Sequence, residues 1–146
     1  MKAFYAGSFD PFTIGHLSIA KRALDIFGEL IIGVGYNESK SVETGIESRV
    51  ENIRKAVSQY PGIKVIAYTG LTARAAKENG ANVLVRGVRN SNEFEKEKEL
   101  ADINLNVLGM PTIMIPAEPT LSYISSSMVR ELKHNGFDVS EFLPQP

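Results

Sequence analysis

Residues 7–16 read Gly7-Ser8-Phe9-Asp10-Pro11-Phe12-Thr13-Ile14-Gly15-His16, and their types suit phosphate chemistry. Gly7 lets backbone approach a ligand closely. Asp10-Pro11 is a turn pair, since a residue before proline avoids the α region. Thr13 is by type a helix cap, and Gly15 leaves room beside the helix start. His16 then falls in a first helical turn, where free N–H groups and the helix dipole favour an anion. A His placed there can donate to a phosphate oxygen that gains charge in a transition state. A lone His more often packs or bonds locally; the loop in front of this one selects the phosphate reading.

Three other stretches carry cations or hydroxyls suited to the same task. Lys40 is the cation of the polar loop 37–45 and reads either as a solvated surface Lys or as a phosphate clamp at a sheet edge. Arg86-Gly87-Val88-Arg89 leaves the end of a strand; the pair is surface charge or a planar multi-donor fork for phosphate. Ser125, Ser126 and Ser127 open a helix, where hydroxyls and unpaired N–H groups face an anion. A redundant cap accounts for one of these serines but hardly for three. Thr72 reads as an N-cap of a short helix.

The elements that must position these groups follow from apolar spacing. Residues 3–6 form a short apolar strand, and Leu17, Ala20, Leu24 and Phe27 recur at helical steps. Residues 30–34 are a continuous apolar run, as in a strand covered on both faces. Gly33 and Gly35 begin a GxG but lie within that strand, and Glu38 stands where a third glycine belongs, so a dinucleotide fingerprint is rejected. An amphipathic helix is predicted over 46–60, with Arg49 and Arg54 solvated or paired. Strands are predicted over 63–68, 81–85 and 111–116, with helices over 73–78, 92–107 and from 124 onward. Alternating strands and helices give an α/β fold: a single Rossmann-like, doubly wound, five-stranded parallel sheet flanked by helices, as one domain over 1–146.

The composition excludes several function classes. The chain has 146 residues, 43% hydrophobic and 23% charged, with a formal net charge of −1, so no global charge draws it to nucleic acid or membrane. It has no Cys and two His, which removes disulfide frameworks and thiolate or His-based zinc sites. No apolar run nears the roughly 20 residues that span a bilayer, and no signal-peptide layout is read at the N-terminus, so a cytoplasmic location is expected.

Thr13-Ile14-Gly15-His16 resembles the (H/T)xGH signature of the nucleotidyltransferase superfamily. Its Thr-first form resembles the phosphopantetheine adenylyltransferase family, whereas related mononucleotide adenylyl- and cytidylyltransferases usually carry His at the place of Thr13. Residues 85–89 resemble the family's strand-end RGxR motif. Residues 124–130 resemble its ISSSxVR run, the counterpart of the mobile KMSKS loop of related synthetases. The resemblance spans nearly the whole chain; Lys96 departs from it, standing where the family often has an aromatic residue.

The resemblance implies transfer of AMP from ATP to 4′-phosphopantetheine, giving dephospho-coenzyme A and pyrophosphate, the penultimate step of coenzyme A biosynthesis. It assigns His16, Thr13, Lys40 and Arg86 to the transfer, and Ser8, Lys40, Thr72 and Arg86 to the acceptor. The nucleotide falls to Ser8, Phe9, His16, Gly87, Val88, Arg89 and Glu97, with Leu121, Ser122, Tyr123, Ile124, Ser125, Ser126 and Ser127. It further implies Mg²⁺ held by phosphates and water rather than by side chains, a homohexamer, and feedback by coenzyme A. Two alternatives stay open: transfer to another phosphate acceptor, and a non-catalytic ATP-binding module.

Overall fold

The structure, a computed structural model, describes residues 1–37 and 45–145. Five strands pair throughout in parallel: β1 (Lys2–Gly7), β2 (Glu29–Gly35), β3 (Ile63–Tyr68), β4 (Val83–Val88) and β5 (Thr112–Pro116), in the spatial order β3-β2-β1-β4-β5. The helices α1 (Ile14–Phe27), α2 (Ile46–Ala56), α3 (Thr72–Glu78) and α4 (Ser91–Leu108) make the crossovers, and α5 (Ser126–His134) follows β5.

Alternation along β1 explains the two layers. Ala3 and Tyr5 face a core shared with Ile19, Ala20 and Ala23 of α1 and Val50 and Ile53 of α2. Phe4 and Ala6 face the opposite layer, with Ala73, Ala75 and Ala76 of α3. Period-2 side chains in a strand buried on both faces produce this partition. Gly33 is where Phe4 needs it: a Cβ there would sit 2.2 Å from the Phe4 ring. A third cluster joins Ile124, Val129 and Phe142 to Ile14, so α5 docks on the start of α1.

Several boundaries differ from the sequence expectation; β4 spans Val83–Val88 instead of 81–85, so Arg86, Gly87 and Val88 belong to the strand rather than to a loop after it. Helix α2 stops at Ala56 instead of reaching residue 60, because a tight turn follows in which Tyr60 N–H donates to Val57 O at 2.9 Å. The turn comes ahead of Pro61, whose preceding residue disfavours helix. Helix α3 starts at Thr72, so Leu71 holds the N-cap position and Thr72 caps nothing; its hydroxyl lies 2.8 Å from the Tyr68 hydroxyl instead.

Chain order reverses between β1 and β4: β1 leads toward β2 and β3, β4 toward β5. The crevice outside the C-terminal ends of two such strands is where open α/β sheets take ligands.

Candidate active site

The 8–13 loop leaves β1, and Thr13 closes it as the N-cap of α1. Thr13 Oγ1 accepts from His16 N–H at 3.3 Å, while Thr13 N–H donates to His16 Nδ1 at 2.9 Å. This is a capping box with His in the place usually held by Glu or Gln. Phe12 stacks on the imidazole at 5.6 Å between centroids, and Phe9 meets it edge-on at 5.1 Å. Burial, together with the nearby Arg86 and Arg89 charges, pushes the His16 pKa down to about 4. The ring is therefore neutral near pH 7. Since Nδ1 accepts a backbone N–H, the proton sits on Nε2.

His16 opens into a cavity of about 420 Å³ whose walls also carry Ser8, Phe9, Thr13, Gly87, Val88, Arg89, Glu97, Leu121, Ile124 and the three serines 125–127. A Cβ on Gly87 would come within 3.0 Å of Ile19, so glycine keeps this wall thin. Ser125 caps α5 by accepting Met128 N–H at 3.1 Å and lies 3.2 Å from Ser127 Oγ; Ser126 donates to Pro11 O at 2.7 Å. Arg130 donates to Asp10 O at 2.6 Å. The serine helix is thus fastened to the His16 loop, and the imidazole and the serine triplet face one cleft.

Both arginines of the β4 motif are tied to α4. Arg86 gives Glu97 a two-pronged pair, Nε to Oε2 and Nη2 to Oε1, each at 2.8 Å, and donates through Nη1 to Ala6 O. Burial works against the Arg86 charge, and the Glu97 carboxylate outweighs it, raising the pKa. Glu93 accepts from both the backbone N–H of Arg89, at 2.8 Å, and its guanidinium. Fixed guanidinium planes leave their remaining N–H groups as preoriented donors.

Gly7, Ser8 and Arg86 also border a second, larger cavity of about 810 Å³, over the ends of β1, β2 and β3, with Gly35, Tyr36, Asn37, Arg49, Tyr68, Thr69 and Gly70. Two adjoining cavities with a shared wall of hydroxyl and guanidinium groups suit two phosphorylated substrates meeting end to end.

Several of the expected site residues are not among those lining the two cavities. Ser122 and Tyr123 are off the first cavity: Ser122 donates to Pro119 O at 3.1 Å within a 3-10 turn, and Tyr123 turns outward against Phe142. Thr72 lies off the second cavity, behind Tyr68. Lys40 lies outside the described residues. Of the two alternatives for Arg49, solvated or paired, the structure removes the first: it is 3% exposed and borders the second cavity. Helical spacing carried no hint of this, because the groups it reaches lie on β1 and β2. Lys96 and Tyr5 also line the first cavity.

Residues 4–132 match the family model described as cytidylyltransferase-like. The phosphopantetheine adenylyltransferase of Porphyromonas gingivalis is 48% identical over 98% of this chain and 94% of its own length. That of Phocaeicola vulgatus is 46% identical over 99% and 95%. A solved bifunctional NMN adenylyltransferase/ADP ribose pyrophosphatase of Francisella tularensis, complexed with AMP and a manganese ion, superposes with a TM-score of 0.70 at 14% identity. The match covers 99% of this chain and 44% of that one, and it bears on the fold. Near-half identity along almost the full length of the curated relatives places this chain in the phosphopantetheine adenylyltransferase family.

Proposed function

We propose that this chain transfers the adenylyl group of ATP to the phosphate of 4′-phosphopantetheine, giving dephospho-coenzyme A and pyrophosphate. The observation that carries the reading is the neutral His16, with Nε2–H available, on a cleft whose Ser8 and Arg86 wall is shared with a second cavity. The relatives' shared name supports the choice of acceptor.

An oxygen of the acceptor phosphate attacks the α-phosphorus of ATP, and the bond to the β-phosphate bridging oxygen breaks. A phosphate monoester is already largely ionised near pH 7, so no general base is required. The chain's work is then positioning and charge stabilisation. In this reading His16 Nε2–H donates to the α-phosphate as charge develops, with Thr13 setting its tautomer. Arg86, held by Glu97, orients the attacking phosphate together with Ser8 and, from the loop outside the described residues, Lys40. Arg89 and the serines 125–127 hold the leaving pyrophosphate. Gly87, Val88, Leu121 and Ile124 flank the nucleoside.

Magnesium belongs to this reading as an ion carried on the triphosphate, because no three His, Cys, Asp or Glu groups cluster among the described residues to hold one. It neutralises phosphate charge when bound. A homohexamer is also part of the reading; the apolar face of α4, argued below, supports it. Coenzyme A, which contains the product, is the expected feedback ligand of the same cleft, and the cytoplasm the expected place of work.

Pyrophosphate release tests the proposal. The protein is incubated with ATP, magnesium and one acceptor at a time. Release with 4′-phosphopantetheine supports it; release with another phosphate acceptor alone, or with none, overturns it.

A further inference from the structure

We propose that Arg49 is a positioning residue for the transfer: it turns the Ser8–Phe9 peptide so that the Phe9 N–H faces the nucleotide phosphates. The inference rests on the reading above.

Arg49 belongs to α2, on the far side of β2 from the His16 loop in chain order, yet its guanidinium reaches both strand ends. Nη1 donates to Ser8 O at 2.6 Å and, more weakly, to Gly35 O at 3.4 Å. The β1–β2 register ends at Gly7↔Val34, so Ser8 and Gly35 would form the next pair. The guanidinium takes their carbonyls there instead. It marks the point where β1 and β2 separate at the mouth of the second cavity.

The consequence for Phe9 is geometric. The Ser8–Phe9 peptide is trans, so its C=O and N–H point in opposite directions. A carbonyl fixed toward Arg49 sends the Phe9 N–H the other way. That N–H has no hydrogen-bond partner among the described residues, and Phe9 borders the first cavity. Phe9 also has φ of 49°, uncommon for a bulky residue. Such a conformation persists only where its surroundings hold it. Contacts of its ring with Tyr5, Phe12 and His16 fix one side, and Arg49 fixes the preceding carbonyl. A preoriented backbone donor on a phosphate cleft stabilises charge without reorganisation.

The test uses Arg49→Met, Arg49→Ala and Arg49→Lys in the full chain, with thermal unfolding to establish which variants fold. Pyrophosphate release gives kcat and KM, and the Phe9 amide resonance is followed as ATP is added. Folded Arg49→Met should lose about 10²-fold in kcat, the scale of one oriented donor, with KM for ATP within a few-fold. Its Phe9 amide should no longer respond to ATP as the wild type does. Added guanidinium ion should restore part of the rate of Arg49→Ala. If both truncations fail to fold, Arg49→Lys decides, with an intermediate loss in kcat and a weakened Phe9 response expected. A folded variant with wild-type kcat, or with lost activity but an unchanged Phe9 response, overturns the inference. If the wild type releases no pyrophosphate, the functional reading fails by itself, and the Phe9 response to ATP still judges the role of Arg49.

Discussion

The backbone N–H of Thr13 donates to Nδ1 of His16 at 2.9 Å, and this bond sets which proton the imidazole has to give. An acceptor at Nδ1 leaves the proton on Nε2, while burial and two arginines keep the ring uncharged. In the proposed mechanism a neutral donor, rather than an acid that must first be protonated, then meets the phosphate at every pH near 7. His16→Ala removes that donor. We expect kcat to fall by about 10²–10³-fold with ATP affinity changed much less. Steady-state kinetics beside direct ATP titration will check this, and near-normal turnover would remove His16 from the mechanism.

The same ring makes a prediction about acid. Its pKa drops from 6.5 to about 4 on folding, with burial the larger cause. Between those two values the unfolded chain binds a proton that the folded chain does not, so stability is complete above 6.5 and declines as pH falls toward 4. His16→Gln lacks this contribution. Its unfolding midpoint should fall less steeply than the wild type's across that window. Parallel slopes would show that the folded imidazole titrates normally.

Local chemistry was legible in the sequence wherever function and chain neighbours coincide. Gly7 to His16 is one continuous loop and cap, so residue types alone located the cleft and the cap at Thr13. The strands were legible because parallel strands covered on both faces are apolar runs. Arg49 was not, since its burial depends on the ends of β1 and β2 meeting 41 and 14 residues away. The pairing of Arg86 with Glu97, and of Arg89 with Glu93, was equally hidden, because charges on an exposed helix look alike until β4 is packed beside it. Ser122 and Tyr123 were placed on the nucleotide by resemblance, and the 3-10 turn Pro119–Leu121 carries both off the cavity wall.

Glu97 follows from its partner. Its carboxylate occupies Nε and Nη2 of Arg86, which fixes the guanidinium plane at the boundary of the two cavities. Glu97→Ala frees that plane and leaves a largely enclosed cation without its partner. Hydrogen bonds to charged groups contribute about 1.5–3 kcal/mol, and solvent access to Arg86, whose side chain is 34% exposed, places the cost toward the lower end. Urea unfolding should show a loss of that order. KM for the phosphorylated acceptor should rise more than KM for ATP. Equal rises in both would place Glu97 on the nucleotide directly, as the family resemblance has it.

Helix α4 has no buried residue, although Phe94, Leu100, Ile103 and Val107 are apolar; Val107 is 73% exposed. Leu100, Ile103 and Val107 follow at steps of three and four, so they form one stripe rather than scattered positions. Next to this helix in the chain comes β5, one of the sheet's two edge strands, with Ile113 also exposed. An exposed apolar stripe of this kind suits an interface, and in the proposed homohexamer a second copy of the chain would cover it. Ile103→Lys with Val107→Lys puts charge into that contact without touching either cavity. Sedimentation should shift the double variant from the hexamer toward smaller species, with the unfolding profile of the separated chain still cooperative. A wild type that sediments as a monomer, or a double variant that stays hexameric, would detach this stripe from assembly.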